Sequence, residues 1–397
     1  MPTDKRLTIK NLLIWVVILV VVSVLFYYYE NKQKLKYGIW DYRTLSFSTS
    51  PMVIYDDNLY FSDEKNNLYS LSKMGVLNWV LDLECPLDSK LIVSDEYILI
   101  RTSAAYQTFY PDVVKNCQNP ERIHIIKRDV GKIDKIIKNE KSIMSYVGDD
   151  KLVYYSTVYG FYENYIKENV PVTIVKFDMN DVRLRAFNSE YYVNNNIVYL
   201  KNLYQDVFAI KIDSGELKWR FTSDWNFKEK DTVDAYEGSR SLIYDDGVIY
   251  TSNKVQHSTA ADIYAFDAVS GVILGHYRID AGTSPGLLSA SDKHIYISSN
   301  DSRIYALSKR NLYPVWHVPT RGRALGALVP YNGVVYVGTQ ASEIIGLDEE
   351  TGERVYRYRA NHAVPGTPAI EDGIIYFATN GGSIHAVRLP EALTSAE

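Results

Sequence analysis

The chain of 397 residues is poor in sulfur and close to electrically balanced. It has two cysteines, Cys85 and Cys117, and a net charge of −5 from 43 Lys and Arg against 48 Asp and Glu. That balance excludes the basic face that nucleic acid requires. The seven histidines, at positions 124, 257, 276, 294, 317, 362 and 385, are scattered. No H-x-H or HExxH spacing sets two of them on one metal, so no metal-ligand set and no cofactor are expected. Gly381-Gly382 has no helix after it and is read as a hairpin turn, not a phosphate loop. The one glycosylation sequon, Asn300-Asp301-Ser302, matters only in a host that glycosylates exported proteins. The two cysteines allow either a bridge in an exported domain or two buried thiols.

What the chain has in quantity is tyrosine, 34 in all, set in a repeat. The stretch 332–359, NGVVYVGTQASEIIGLDEETGERVYRYR, is one full copy. Short β-branched and aromatic runs alternate there with Gly, Asn and Asp turns, which spells strands joined by tight turns. An acidic, Asn or Gly turn followed by apolar-apolar-Tyr recurs at Tyr60, Leu99, Tyr154, Tyr199, Tyr250, Tyr296, Tyr336 and Tyr376. The mean spacing of about 45 residues is that of a four-stranded propeller blade. One such sheet cannot bury both faces, whereas copies arranged radially pack on one another. The expectation is an all-β fold, an eight-bladed β-propeller of four-stranded antiparallel blades over residues 37–390, preceded by one N-terminal transmembrane helix.

The second half of each copy reads VFAIKIDSGELKW from Val207, IYAFDAVSGVILG from Ile263, IYALSKRNLYPVW from Ile304 and LYSLSKMGVLNW from Leu68. The Gly-His and Trp-Asp dipeptides of WD40 repeats are missing. The pattern Tyr-Ala-x-Asp-x-x-Ser/Thr-Gly-x-x-x-Trp resembles the blade motif of the pyrroloquinoline quinone (PQQ)-like propellers. That superfamily includes quinoprotein alcohol dehydrogenases and BamB-like outer-membrane-assembly proteins. The motif speaks for fold, because its Asp and Gly shape a turn and its Trp packs between blades. Asp213, Asp267 and Asp348 are read as recurring at that turn. The dehydrogenases hold a quinone, a calcium ion and often a disulfide between adjacent cysteines. Cys85 and Cys117 cannot form that disulfide, and no residue matches the metal and quinone ligands, so no catalytic residue is assigned.

Residues 1–11 are a short basic tail, and Leu12 to Tyr28 carries no charge and one serine. With its flanks it approaches the length needed to cross about 30 Å of hydrocarbon. No Ala-x-Ala site follows, and no cysteine that could take a lipid, so 12–29 is read as a retained signal anchor with 30–36 as a tether. A large domain behind a short tail is usually translocated. The expected location is the cytoplasmic membrane, single-pass, with the propeller in the periplasm or outside the cell. Residues 391–397 form a tail.

The segment 37–46, containing Trp40, looks like the end of a blade, and the last copy stops before any Trp strand. It should therefore close blade 8 as its outer strand and hide two sheet edges. The tether then arrives on the face of the C-D turns, and the B-C turns and inter-blade connections point away from the membrane. Three insertions (102–122, 157–170 and 254–261) and the connection 222–239 fall on that distal face. Long loops on a rigid scaffold are where binding usually resides. The partner-binding candidates are Tyr106, Phe109, Tyr110, Tyr159, Phe161, Tyr162, Trp225, Phe227, Asp231, Asp234 and Tyr236.

The function expected is a membrane-anchored scaffold for protein partners in an envelope-assembly or secretion-type complex. The alternative is a divergent PQQ- and calcium-dependent redox enzyme or a ligand sensor. A nucleic-acid partner and a small-molecule substrate are not expected.

Overall fold

The computed structural model describes residues 15–16, 18–22, 37–48, 50–85, 87, 91–102, 122–138, 143–148, 151–156, 160–165, 171–175, 187–202, 204–211, 213–224, 241–255, 258, 260–280 and 285–390. Of the apolar N-terminal run, residues 15–16 and 18–22 are helical and exposed. Among the described residues no helix is long and apolar enough to cross a membrane. The membrane-spanning reading of 12–29 is therefore carried by the sequence alone.

The rest is an all-β propeller of four-stranded antiparallel blades. The sheets span 53–82 (blade 1), 92–138 (blade 2), 143–175 (blade 3), 187–221 (blade 4), 242–279 (blade 5), 285–319 (blade 6) and 329–359 (blade 7). A last sheet over 369–388 (blade 8) takes its fourth strand from Gly38–Arg43. Among the described residues, buried side-chain clusters link seven of these sheets.

Each blade runs A to D from its inner to its outer strand, and its hydrophobic pattern explains the packing. The repeated Tyr sits in the second strand, B, and is almost fully buried at Tyr60, Tyr250, Tyr296 and Tyr376. Alternation along the strands sends apolar residues to both neighbours, so clusters form in the seams rather than within a blade. One cluster joins Ile263 and Ala265 of blade 5 to Ile295 and Ile297 of blade 6. Another joins Leu59 and Phe61 of blade 1 to Tyr376 and Ile384 of blade 8. Each fully buried large side chain contributes about 1.5–3 kcal/mol relative to exposure.

The motif Trp staples neighbouring blades. Its indole N–H donates to a carbonyl in the next blade's C-D turn: Trp40 to Lys73 at 2.8 Å, Trp79 to Arg128 at 3.0 Å, Trp219 to Ala268 at 2.9 Å and Trp316 to Glu349 at 2.9 Å. Under each ring lies that turn's glycine, Gly75, Gly131, Gly271 or Gly352, at positive φ. A Cβ on Gly131 would sit 2.3 Å from the Trp79 ring, so both the backbone conformation and the close approach require glycine. The turn role of the motif Asp is visible at Asp267 and Asp348, whose Oδ1 atoms each accept from a backbone N–H and a hydroxyl three residues on. Asp213 does not share that position. Lys211 occupies it, its carbonyl accepting from the Gly215 N–H as Asp348's does from Gly352.

Gly38–Arg43 pairs antiparallel with Ser383–Arg388, from Gly38 opposite Val387 to Arg43 opposite Ser383. Asp41 adds a 2.6 Å contact to Nδ1 of buried His385. The seam between blades 8 and 1 is thus closed by residues from both ends of the domain.

Candidate interaction face

The B-C turns and the D-to-A connections share one face, and a polar framework stands beneath the sequence candidates there. In blade 2, strand B ends at Arg101 and Thr102, both buried, where the 102–122 insertion leaves. The Thr102 hydroxyl and Nε2 of His124 lie 3.3 Å apart. Burial, with help from the Arg122 charge, pushes the His124 imidazole down to about 4, so it is neutral at pH 7. Thr102 also bridges Leu87 in the connection from blade 1, two residues beyond buried Cys85. Cys85 is disulfide-bonded. The chain's one other cysteine is Cys117.

Blades 4 and 5 are stitched together on the same face. Lys201 is almost fully buried and its ammonium donates to the Ser252 carbonyl. Gln205 donates to the Lys254 carbonyl at 3.0 Å, and Asn253 donates to the Gln205 carbonyl at 3.1 Å. Asp206, fully buried, accepts from Arg220 and from the Ser223 backbone N–H, both at 2.9 Å. At the far end of the connection that follows, the Ser241 hydroxyl accepts from the Leu288 N–H at 2.9 Å, and the Ser241 carbonyl accepts from Thr251 at 3.0 Å. Both roots of the 222–239 connection are therefore fixed by buried polar contacts. Sequence reasoning missed Lys201, Gln205 and Asp206, because a lysine in a strand and an amide and an acid in a turn read as exposed.

Phe161 and Tyr162 require a correction. They belong to the strand Gly160–Tyr165, with Phe161 opposite Tyr155 and Tyr162 opposite Tyr154. The part of 157–170 from 160 to 165 is thus third strand, and strand B ends at Ser156. The extension in blade 5 is also short, turning between Lys254 and Ala261 with Val255 N–H donating to the Ala260 carbonyl. Tyr106, Phe109, Tyr110, Tyr159, Trp225, Phe227, Asp231, Asp234, Tyr236 and Cys117 lie outside the described residues.

Among the described residues no three His, Cys, Asp or Glu side chains converge to hold a metal ion. His276 and Asp262 do meet at 2.8 Å, but Arg278 occupies the same carboxylate and holds it in its charged form.

Residues 259–391 match the family model described as outer membrane protein assembly factor BamB. No curated protein matches the chain. Among solved structures, BamB from Moraxella catarrhalis superposes with a TM-score of 0.64 at 12% identity, covering 89% of this chain and 99% of that one. Saccharomyces cerevisiae Sqt1 gives 0.64 at 10%, covering 89% and 99%. The quinohemoprotein alcohol dehydrogenase ADHIIG from Pseudomonas putida HK5 gives 0.60 at 11%, covering 91% and 77%. The chain is thus similar in fold to proteins of quite different kinds, and over its last third to the BamB family.

Proposed function

We propose that this chain is a membrane-anchored propeller, exposed outside the cytoplasm, that holds a protein partner on its B-C face as part of an envelope-assembly or secretion-type complex. The observation that carries the reading is the position of Gly38. It begins an outer strand at the C-D end of blade 8, so whatever precedes it approaches from that face. With 12–29 as the anchor, only the tether 30–36 separates the C-D face from lipid, about 25 Å at full extension. The stitched B-C face then points away from the membrane. The bonded state of Cys85 accords with an oxidising compartment. The BamB-type match over blades 6 to 8 and part of blade 5 favours a scaffold over an enzyme.

The test is capture from native membranes with the full-length chain, comparing wild type with the double variant Trp225→Ala, Phe227→Ala. A stoichiometric partner lost in the variant, with melting unchanged, supports the reading. A calcium-dependent quinone absorbance with no partner replaces it by the redox alternative.

A further inference from the structure

One cleft of about 580 Å³ opens between blade 1 and the C-D hairpin of blade 2. It is lined by Asn58, Ser70, Asn78 and Trp79 from one side and Arg128 and Asp129 from the other. Its volume lies within the range of small-molecule sites.

The repeat shows what is unusual here. Ser70 faces Tyr60 and Trp79 across the blade. The residue in that place is Ala209, Ala265, Ala306, Gly346 or Ala386 in other blades. Asn58 begins strand B, where Ile197, Val248, Val334 and Ile374 stand in blades 4, 5, 7 and 8, and Tyr97 and His294 in blades 2 and 6. Asn78 precedes the Trp position, where blades 5 to 8 have Leu274, Val315, Val355 and Ile39. Only in blade 1, among the described blades, are all three polar, and this is where the cleft lies. Ser70 is buried, so its hydroxyl gives up burial energy unless it finds a partner, whereas Asn78 is exposed at the cleft mouth.

The two N–H groups of Asn78 go to Asn58 Oδ1 at 2.7 Å and to Ser70 Oγ at 3.1 Å. Among the described residues no donor reaches the Asn78 carbonyl oxygen, which leaves an acceptor on the cleft wall. Asp129 adds an exposed carboxylate. Arg128 is already engaged, paired with Asp56 and lying 4.6 Å over the Tyr55 ring, so it adds little free positive charge. Trp79 supplies an aromatic surface whose N–H is spent on the Arg128 carbonyl.

From these groups we infer a binding site for a neutral saccharide of one or two units. Hydroxyls would donate to the Asn78 carbonyl and to Asp129, and an apolar sugar face would lie against Trp79. The carboxylate and the spent guanidinium disfavour anionic sugars.

The test uses the full-length chain in nanodiscs, since glycoside detergents would compete. Saturation-transfer NMR and calorimetry would be run with maltose, N-acetylglucosamine and its β-1,4-linked dimer, with glucuronic acid as the charged control. The double variant Ser70→Ala, Asn78→Leu restores residues that other blades carry, so it should fold with equal or higher Tm. At least one neutral sugar should bind wild type and bind the variant about tenfold more weakly, the loss of one or two net hydrogen bonds. No neutral sugar bound by wild type, equal binding by the variant, or a preference for glucuronic acid would each overturn the inference.

Discussion

Gly275 and Leu312 hold exchanged sizes across the seam between blades 5 and 6. Where the outer strands of blades 1, 4 and 6 carry Trp, blade 5 has Gly275, and a Cβ on it would lie 2.4 Å from the Arg310 carbonyl oxygen. Where the facing turns carry glycine, blade 6 has Leu312, fully buried in the seam cluster at φ 56. The leucine fills the volume the missing indole would occupy, at the cost of a left-handed backbone.

A double-mutant cycle reads this exchange directly. Gly275→Trp alone overpacks the seam and should cost about 1–3 kcal/mol. Leu312→Gly alone leaves a cavity, worth about 3 kcal/mol, less about 1 kcal/mol regained from relieved strain. Together they restore the staple, and the double variant should be more stable than the sum by about 1 kcal/mol or more. Additive losses in denaturant unfolding would show that the two positions do not compensate.

Closure at blade 8 is tested by its N-terminal strand. Trp40→Ala removes the indole over Gly75 and the bond to Lys73 and should cost about 3 kcal/mol. Deleting 37–46 exposes the edge of Ser383–Arg388 and should leave the domain aggregated. A monomeric deletion variant with unchanged melting would mean that the strand is ornamental.

These contacts also show how far the sequence is legible. The Trp, the Gly four residues before it and the buried Tyr were readable because each is fixed by one seam geometry repeated around the ring. Phe161 and Tyr162 were not, since GFYENY puts Tyr162 and Glu163 where the third strands of blades 4, 5 and 6 carry Ala followed by an apolar residue. A strand held by backbone pairing and aromatic β-propensity leaves no period to read there. Lys201 and Asp206 were invisible for a different reason. Lys201 meets the Ser252 carbonyl of the neighbouring blade about fifty residues away, whereas Asp206 meets Arg220 and Ser223 of its own stretch, and no apolar period reports either kind of polar partner.

His124 should make stability pH-dependent in a definite direction. Its folded value, about 4, lies below the ordinary value of 6.5. Between those values the unfolded chain binds the extra proton, so this contribution is full above pH 6.5 and is lost as pH falls toward 4. From pH 7 to pH 5 the loss is about 2 kcal/mol. His124→Asn should abolish that component, flattening the decline in unfolding free energy relative to wild type. Parallel declines in both proteins would place the proton elsewhere.

Asp206 fixes the start of the connection on which partner capture is proposed to depend. Asp206→Asn keeps the shape of the side chain but removes the charge facing Arg220 and weakens the hold on the Ser223 N–H. Removing the charge opposite a partly buried guanidinium should cost about 3 kcal/mol. The sharper readout is limited proteolysis. Cleavage between residues 222 and 241 should accelerate more than cleavage at any other connection, and partner capture should fall in step with it. If cleavage rises equally throughout the propeller, Asp206 supports the global fold and not the geometry of the interaction face.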